Sequence, residues 1–164
     1  MSRNPTCSNT NMTPVQESQF NTFGCVSRSL VNLARSKGNA ITRDAFCQRF
    51  SGLFLDPANQ YGALMPSQIV DVIRALNLGT CFASYRRYAE IDDAFNVQNR
   101  GVLISSEINL NPGATDIIRH FSLLTGIVAA GFSLLTPSQD GNDYPLNFAA
   151  QDWDGKLCHG IVIY

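Results

Sequence analysis

Three side chains along this chain have the types and spacing to do acyl chemistry. Cys25 opens the run Cys-Val-Ser-Arg-Ser-Leu-Val-Asn-Leu-Ala-Arg, which reads as the start of an amphipathic helix, and Gln19 lies six positions before it. His120 opens the apolar run His-Phe-Ser-Leu-Leu-Thr-Gly-Ile, which reads as a strand. A thiol at a helix start is eased toward thiolate by the positive end of the helix dipole. An imidazole beside it can take its proton and return it to a leaving group. The Gln19 amide, with the Cys25 backbone N–H, could then hold a developing oxyanion. Each residue alone has an ordinary structural reading; it is the three in this order that point to a nucleophile, a base and an oxyanion donor.

Such a site needs elements to position it. Val26, Leu30, Leu33 and Ala34 recur at helical spacing, with Lys37-Gly38 as a stop. Thr42 caps a second helix over Arg43 to Phe50, and Met65-Pro66-Ser67 opens a third with Ile69, Val72, Ile73 and Leu76 as its inner stripe. Beyond Gly79 the period shortens. Strands are expected at Thr80–Tyr85, Gly101–Ser106, Ile117–Ile127, Phe132–Leu135 and Leu157–Tyr164, with a short helix over Tyr88–Asn96, a helical turn over Leu146–Asp152 and a hairpin turn at Asp154-Gly155. Helices first and strands after predict an α+β fold, its helical half packed on an antiparallel sheet with the active site in the cleft between them. Residues 1–15 read as a flexible arm and 16–164 as one domain.

Bulk composition narrows the function. The chain has 164 residues, 45% hydrophobic and 15% charged, with a net charge of −1 and no basic block. That argues against nucleic acid as a partner. No run is long and apolar enough to span a membrane, and the first residues lack the apolar centre of a signal peptide. The expected setting is the cytoplasm, or secretion without a cleavable signal in the manner of a bacterial effector. The expected state is a monomer acting on a peptide or protein. Five irregularly spaced cysteines predict neither a disulfide framework nor a zinc site, and no cofactor or metal is expected. Cys47 and Cys81, in apolar patterns, are expected to be buried and inert.

Gln19-x5-Cys25, the Gly-Ala-Leu-Met-Pro-Ser-Gln-Ile helix opening, the buried strand and the His120 strand together resemble the papain-like cysteine peptidase superfamily. Within it they are most similar to the bacteriocin-processing peptidases that cut double-glycine leaders, and to their free-standing relatives. The likeness spans residues 16–164, with Phe148-Ala-Ala-Gln-Asp-Trp153-Asp-Gly155 as the late aromatic-glycine segment. It implies a hydrolase, a thiol protease working through an acyl-enzyme on Cys25, or a transpeptidase using the same thioester. A peptide-binding pseudo-peptidase is the non-enzymatic alternative. Two departures stand out. Glycine precedes the cysteine here, as Gly24, rather than following it, and the Asp-Pro expected to end the return strand reads Thr136-Pro137. The resemblance therefore puts Thr136 where an acid would orient His120, with Asp140, Asp143 and Asp152 as rivals. Segments 51–65 and 107–116 are the expected cleft walls. Trp153 and His159 are expected to be structural.

Overall fold

The computed structural model describes residues 12–108, 118–128, 131–153 and 158–164. Among these residues, five α-helices come largely before a six-stranded sheet: α1 (Pro14–Phe23), α2 (Cys25–Ser36), α3 (Arg43–Phe50), α4 (Pro66–Ala75), β1 (Phe82–Tyr85), α5 (Tyr88–Asp92), β2 (Val102–Ile108), β3 (Ile118–Val128), β4 (Gly131–Pro137), β5 (Asp143–Ala149) and β6 (His159–Ile163). The strand order is β1-β6-β2-β3-β4-β5 and every pairing is antiparallel. The fold is α+β, as the order of elements predicts.

Both faces of the sheet are buried. On one, Phe20, Leu30, Leu33, Phe46, Phe50 and Ile73 of the first four helices pack with Leu103, Leu123 and Ile161. On the other, Ile91 and Ala94 pack with Val102, Ile104, Leu124, Phe132, Leu134 and Trp153. Residues on β2 and β3 divide between the cores by parity, because alternate side chains leave a strand on opposite faces. Trp153 is a core residue, edge-on to Tyr88 and Phe132, with its Nε1 donating to the Arg86 carbonyl at 2.6 Å.

Three expectations need correction. The arm was expected to run to residue 15, yet α1 begins at Pro14; Thr13 and Gln16 close a reciprocal capping box that starts it. The remainder of the arm, residues 1–11, lies outside the described residues, as do the Asp154-Gly155 turn and residues 109–116 of the expected cleft wall. The helical turn expected over Leu146–Asp152 is a strand as far as Ala149, and only Ala150–Asp152 forms a 3-10 turn. As an edge strand β5 tolerates Pro145, whose missing donor costs no ladder bond on the open side. Cys81, expected to be buried, is exposed, whereas Cys47 is buried and its thiol is pushed up to about 12 chiefly by desolvation. Among the described residues, no helix is long and apolar enough to cross a membrane.

Candidate active site at the start of the second helix

The chain turns from α1 into α2 at a single residue. Gly24 donates to the Phe20 carbonyl at 3.0 Å and accepts from Arg28 N at 2.7 Å, ending one helix and beginning the next. A Cβ on Gly24 would lie 2.5 Å from that carbonyl oxygen, so only glycine fits. Gly62, at φ +105°, closes on the same spot from the following loop, where a Cβ would stand 2.6 Å from the Phe20 ring. Ser27 then ties the helix to the Gly62 carbonyl at 2.5 Å. These contacts fix Cys25 as the first residue of a 12-residue helix.

The Cys25 thiol is half-buried, and the backbone N–H groups of Phe121, Val26 and Cys25 itself face it and favour its thiolate. One turn along, Ser29 Oγ donates to the Phe121 carbonyl at 3.5 Å. The N-terminal turn of α2 thus occupies the edge of β3 just beyond Leu123↔Leu135, the last register pair of β3 with β4. Burial raises the thiol pKa, and the backbone N–H groups and the Arg28 charge pull it down by less. Desolvation prevails, so Cys25 rests as a neutral thiol at neutral pH.

His120 is 8% exposed and its Nε2 lies 2.8 Å from the Pro137 carbonyl oxygen. A carbonyl only accepts, so Nε2 carries the proton and Nδ1 keeps its lone pair. Burial lowers the imidazole pKa, and Arg28 adds to that; the Pro137 bond opposes both. His120 therefore rests neutral, in one tautomer. Strand parity sets it with Ser122 and Leu124, while Phe121 and Leu123 lie on the α2 side. The thiol and the imidazole are brought to consecutive residues of β3. The thiol lies at the backbone of Phe121, one residue after His120, and the imidazole is turned to the Pro137 carbonyl with no hydrogen bond to the sulfur.

The remaining candidates are placed elsewhere. Gln19 Nε2 donates to the Ala58 carbonyl at 3.1 Å and its Oε1 accepts from Tyr61 N at 3.3 Å, so both ends of the amide fasten the 58–61 loop. The donors left at the thiol are the Phe121, Val26 and Cys25 backbone N–H groups, the last two on the first turn of α2. Thr136, expected beside His120, instead pairs its hydroxyl with Ser122 Oγ at 3.0 Å, and the main chain of the next residue meets the imidazole. Asp140 is exposed and engaged by Tyr144 and by Asn142 N, which draw its carboxyl down to about 2. Asp143 turns to two arginines. The Asp152 side chain lies outside the described residues. His159 stands edge-on to Phe121 at 6.3 Å.

Those arginines form the part of the site the sequence did not reveal. Arg28, 1% exposed, donates from Nη1 to the Ser138 carbonyl and from Nη2 to the Asn142 carbonyl at 2.8 Å and Asp143 Oδ1 at 3.1 Å. Arg43, 3% exposed, donates to the Gly141 carbonyl and reaches Asp143 Oδ2 at 3.0 Å. Burial lowers the Arg28 pKa to about 10, which leaves it a cation at neutral pH. Its one sequence signal is a charged residue in the buried first turn of α2, three positions after Cys25. A separate cavity of about 250 Å³ lies at the far end of the same helix, lined by Leu33, Lys37, Arg100, Leu123 and their neighbours, and includes none of these groups.

No family model matches this chain, and no curated protein gives a significant match either.

Proposed function

We propose that this is a thiol-dependent peptidase of papain-like plan, which cleaves a peptide or protein through an acyl-enzyme on Cys25. The observation that supports the reading is adjacency on β3: a half-buried thiol on the first residue of a helix lies at the backbone of Phe121, the residue that follows an imidazole of fixed tautomer. Cys25 Sγ attacks the substrate carbonyl carbon while its proton passes to His120 Nδ1. The Cys25 and Val26 N–H groups then hold the oxyanion. Collapse expels the amine, which takes the proton from Nδ1, and a thioester remains. Water, deprotonated by the same nitrogen, releases the acid and the free thiol. Because thiol and imidazole both rest neutral, proton transfer accompanies attack instead of preceding it as an ion pair. Catalytic contacts of this kind tighten when substrate fills a site, and His120 Nδ1 must close on Sγ while Nε2–H keeps its bond to the Pro137 carbonyl.

A peptidyl electrophile tests this. It should form one covalent adduct at Cys25, mapped by mass spectrometry, and labelling should collapse in His120→Ala. Product analysis with an added amine separates hydrolysis from transpeptidation. The raised thiol pKa and the engaged Gln19 amide favour a second reading, a peptide-binding module that does not turn over. Labelling of Cys25 no faster than that of a buried thiol, with peptide binding retained, would select it.

A further inference from the structure

The segment 137–143 is held almost entirely through its main chain. Pro137 gives its carbonyl to His120, Ser138 and Asn142 give theirs to Arg28, and Gly141 gives its own to Arg43; the Asp143 carboxylate closes the set across both guanidiniums. Arg28 is the hub. It leaves α2 three residues after Cys25, and it crosses to the far end of β4, where the acceptor for His120 lies. Asn21 also offers it a carbonyl at 3.4 Å, so the end of α1 joins the same group.

We propose that Arg28 is the positioning residue of this site: its guanidinium holds the 137–143 segment so that the Pro137 carbonyl meets His120, and it presents a positive charge to the Cys25 thiol. This rests on reading Cys25 as the nucleophile and His120 as its base. Among the described residues, the charged group that acts on the thiol is Arg28 on its own helix, with Asp143 of β5 and Arg43 of α3 behind Arg28, while the titratable His120 stands on β3 one residue before Phe121. Two guanidiniums share one carboxylate there. A cation near sulfur favours thiolate, and a planar fork spanning three acceptors fixes a loop in a way that a lysine cannot. The Arg28 charge acts on both members of the pair, favouring the thiolate and disfavouring the imidazolium.

The test is the rate of Cys25 carboxamidomethylation by iodoacetamide across pH 6 to 10, read by mass spectrometry. It uses the wild-type chain, Arg28→Gln, Arg28→Lys and Asp143→Asn, each checked for folding by circular dichroism and thermal melting. In Arg28→Gln the profile should move upward by about one unit, a tenfold loss of thiolate at pH 7. Arg28→Lys should restore the labelling profile to within about threefold but not peptide turnover, since one ammonium cannot span the three acceptors. Asp143→Asn should move the profile the opposite way, downward. A folded Arg28→Gln with the wild-type profile overturns the assignment, and so does movement of Arg28→Gln and Asp143→Asn in the same direction. If Arg28→Gln does not fold, Asp143→Asn decides, and an unchanged or upward profile overturns the assignment. Labelling needs no substrate. A wild-type chain that labels as described but cleaves nothing counts against the peptidase reading and leaves Arg28 in its role.

Discussion

Cys25 and Cys47 are both sheltered thiols on neighbouring helices, and burial raises both above the ordinary thiol value. What surrounds them differs. Cys47 sits within α3, 1% exposed, where the Tyr61 hydroxyl and Arg43 favour ionisation and Asp44 opposes it, all by less than burial does. Cys25 begins its helix, half-buried, where backbone N–H groups and an arginine oppose the desolvation. Burial alone makes a thiol inert. Burial at a helix start, against unpaired first-turn backbone donors, leaves it able to react.

The largest expected effect separates the two thiols by function. Cys25→Ala should abolish peptide cleavage, by at least about a thousandfold, with folding retained. Cys47→Ala should leave cleavage intact and cost about 1–2 kcal/mol in denaturant unfolding, as a small cavity opens in the core. Equal activities for the two variants would break the comparison. His120→Ala comes next, with a loss of about 10²–10⁴ in kcat/KM on a peptide substrate, the usual contribution of a general base.

A pH series sharpens it further. His120 is buried neutral, so its folded pKa lies below the ordinary value of about 6.5. The unfolded chain then binds the proton more readily. The stability due to this residue is complete above the unfolded value and is lost as pH falls through the folded one. Thermal melts between pH 7 and 5 should show a falling Tm, and His120→Gln should flatten that slope. An unaltered slope in the variant would mean that the imidazole is not held neutral. The smallest effect belongs to Gln19. Gln19→Ala should loosen the 58–61 loop by about 1 kcal/mol, visible as faster hydrogen exchange at the Tyr61 amide, with little change in Cys25 labelling. A large loss of labelling would return Gln19 to the oxyanion role.

Legibility in the sequence followed locality. The helices from Cys25, Arg43 and Pro66 were readable because stripe, cap and stop all lie within a dozen residues. α1 was missed because it buries only Phe20 and Asn21 and shows no stripe, although Thr13-Pro14-Val15-Gln16 held a capping signal. β5 was missed because an edge strand with a proline lacks alternation and exists through its pairing with β4. Cys25 and His120 could be named from residue type and flanking pattern. Arg28 and Asp143 are 115 positions apart, and no spacing rule joins them.

The partner of His120 is a main-chain atom, and this changes what mutation can do to it. A carboxylate or amide side chain disappears with one base change, whereas the carbonyl at position 137 survives replacement of that residue by any other that leaves the path of the chain unchanged. It carries no formal charge, so salt does not screen it and acid does not titrate it. The orientation of the imidazole is thereby insulated from point substitution at its acceptor and exposed to anything that moves the segment bearing it, including a deletion in the β4–β5 turn that touches no reactive group. Two chains could share this arrangement with no side chain in common at that position.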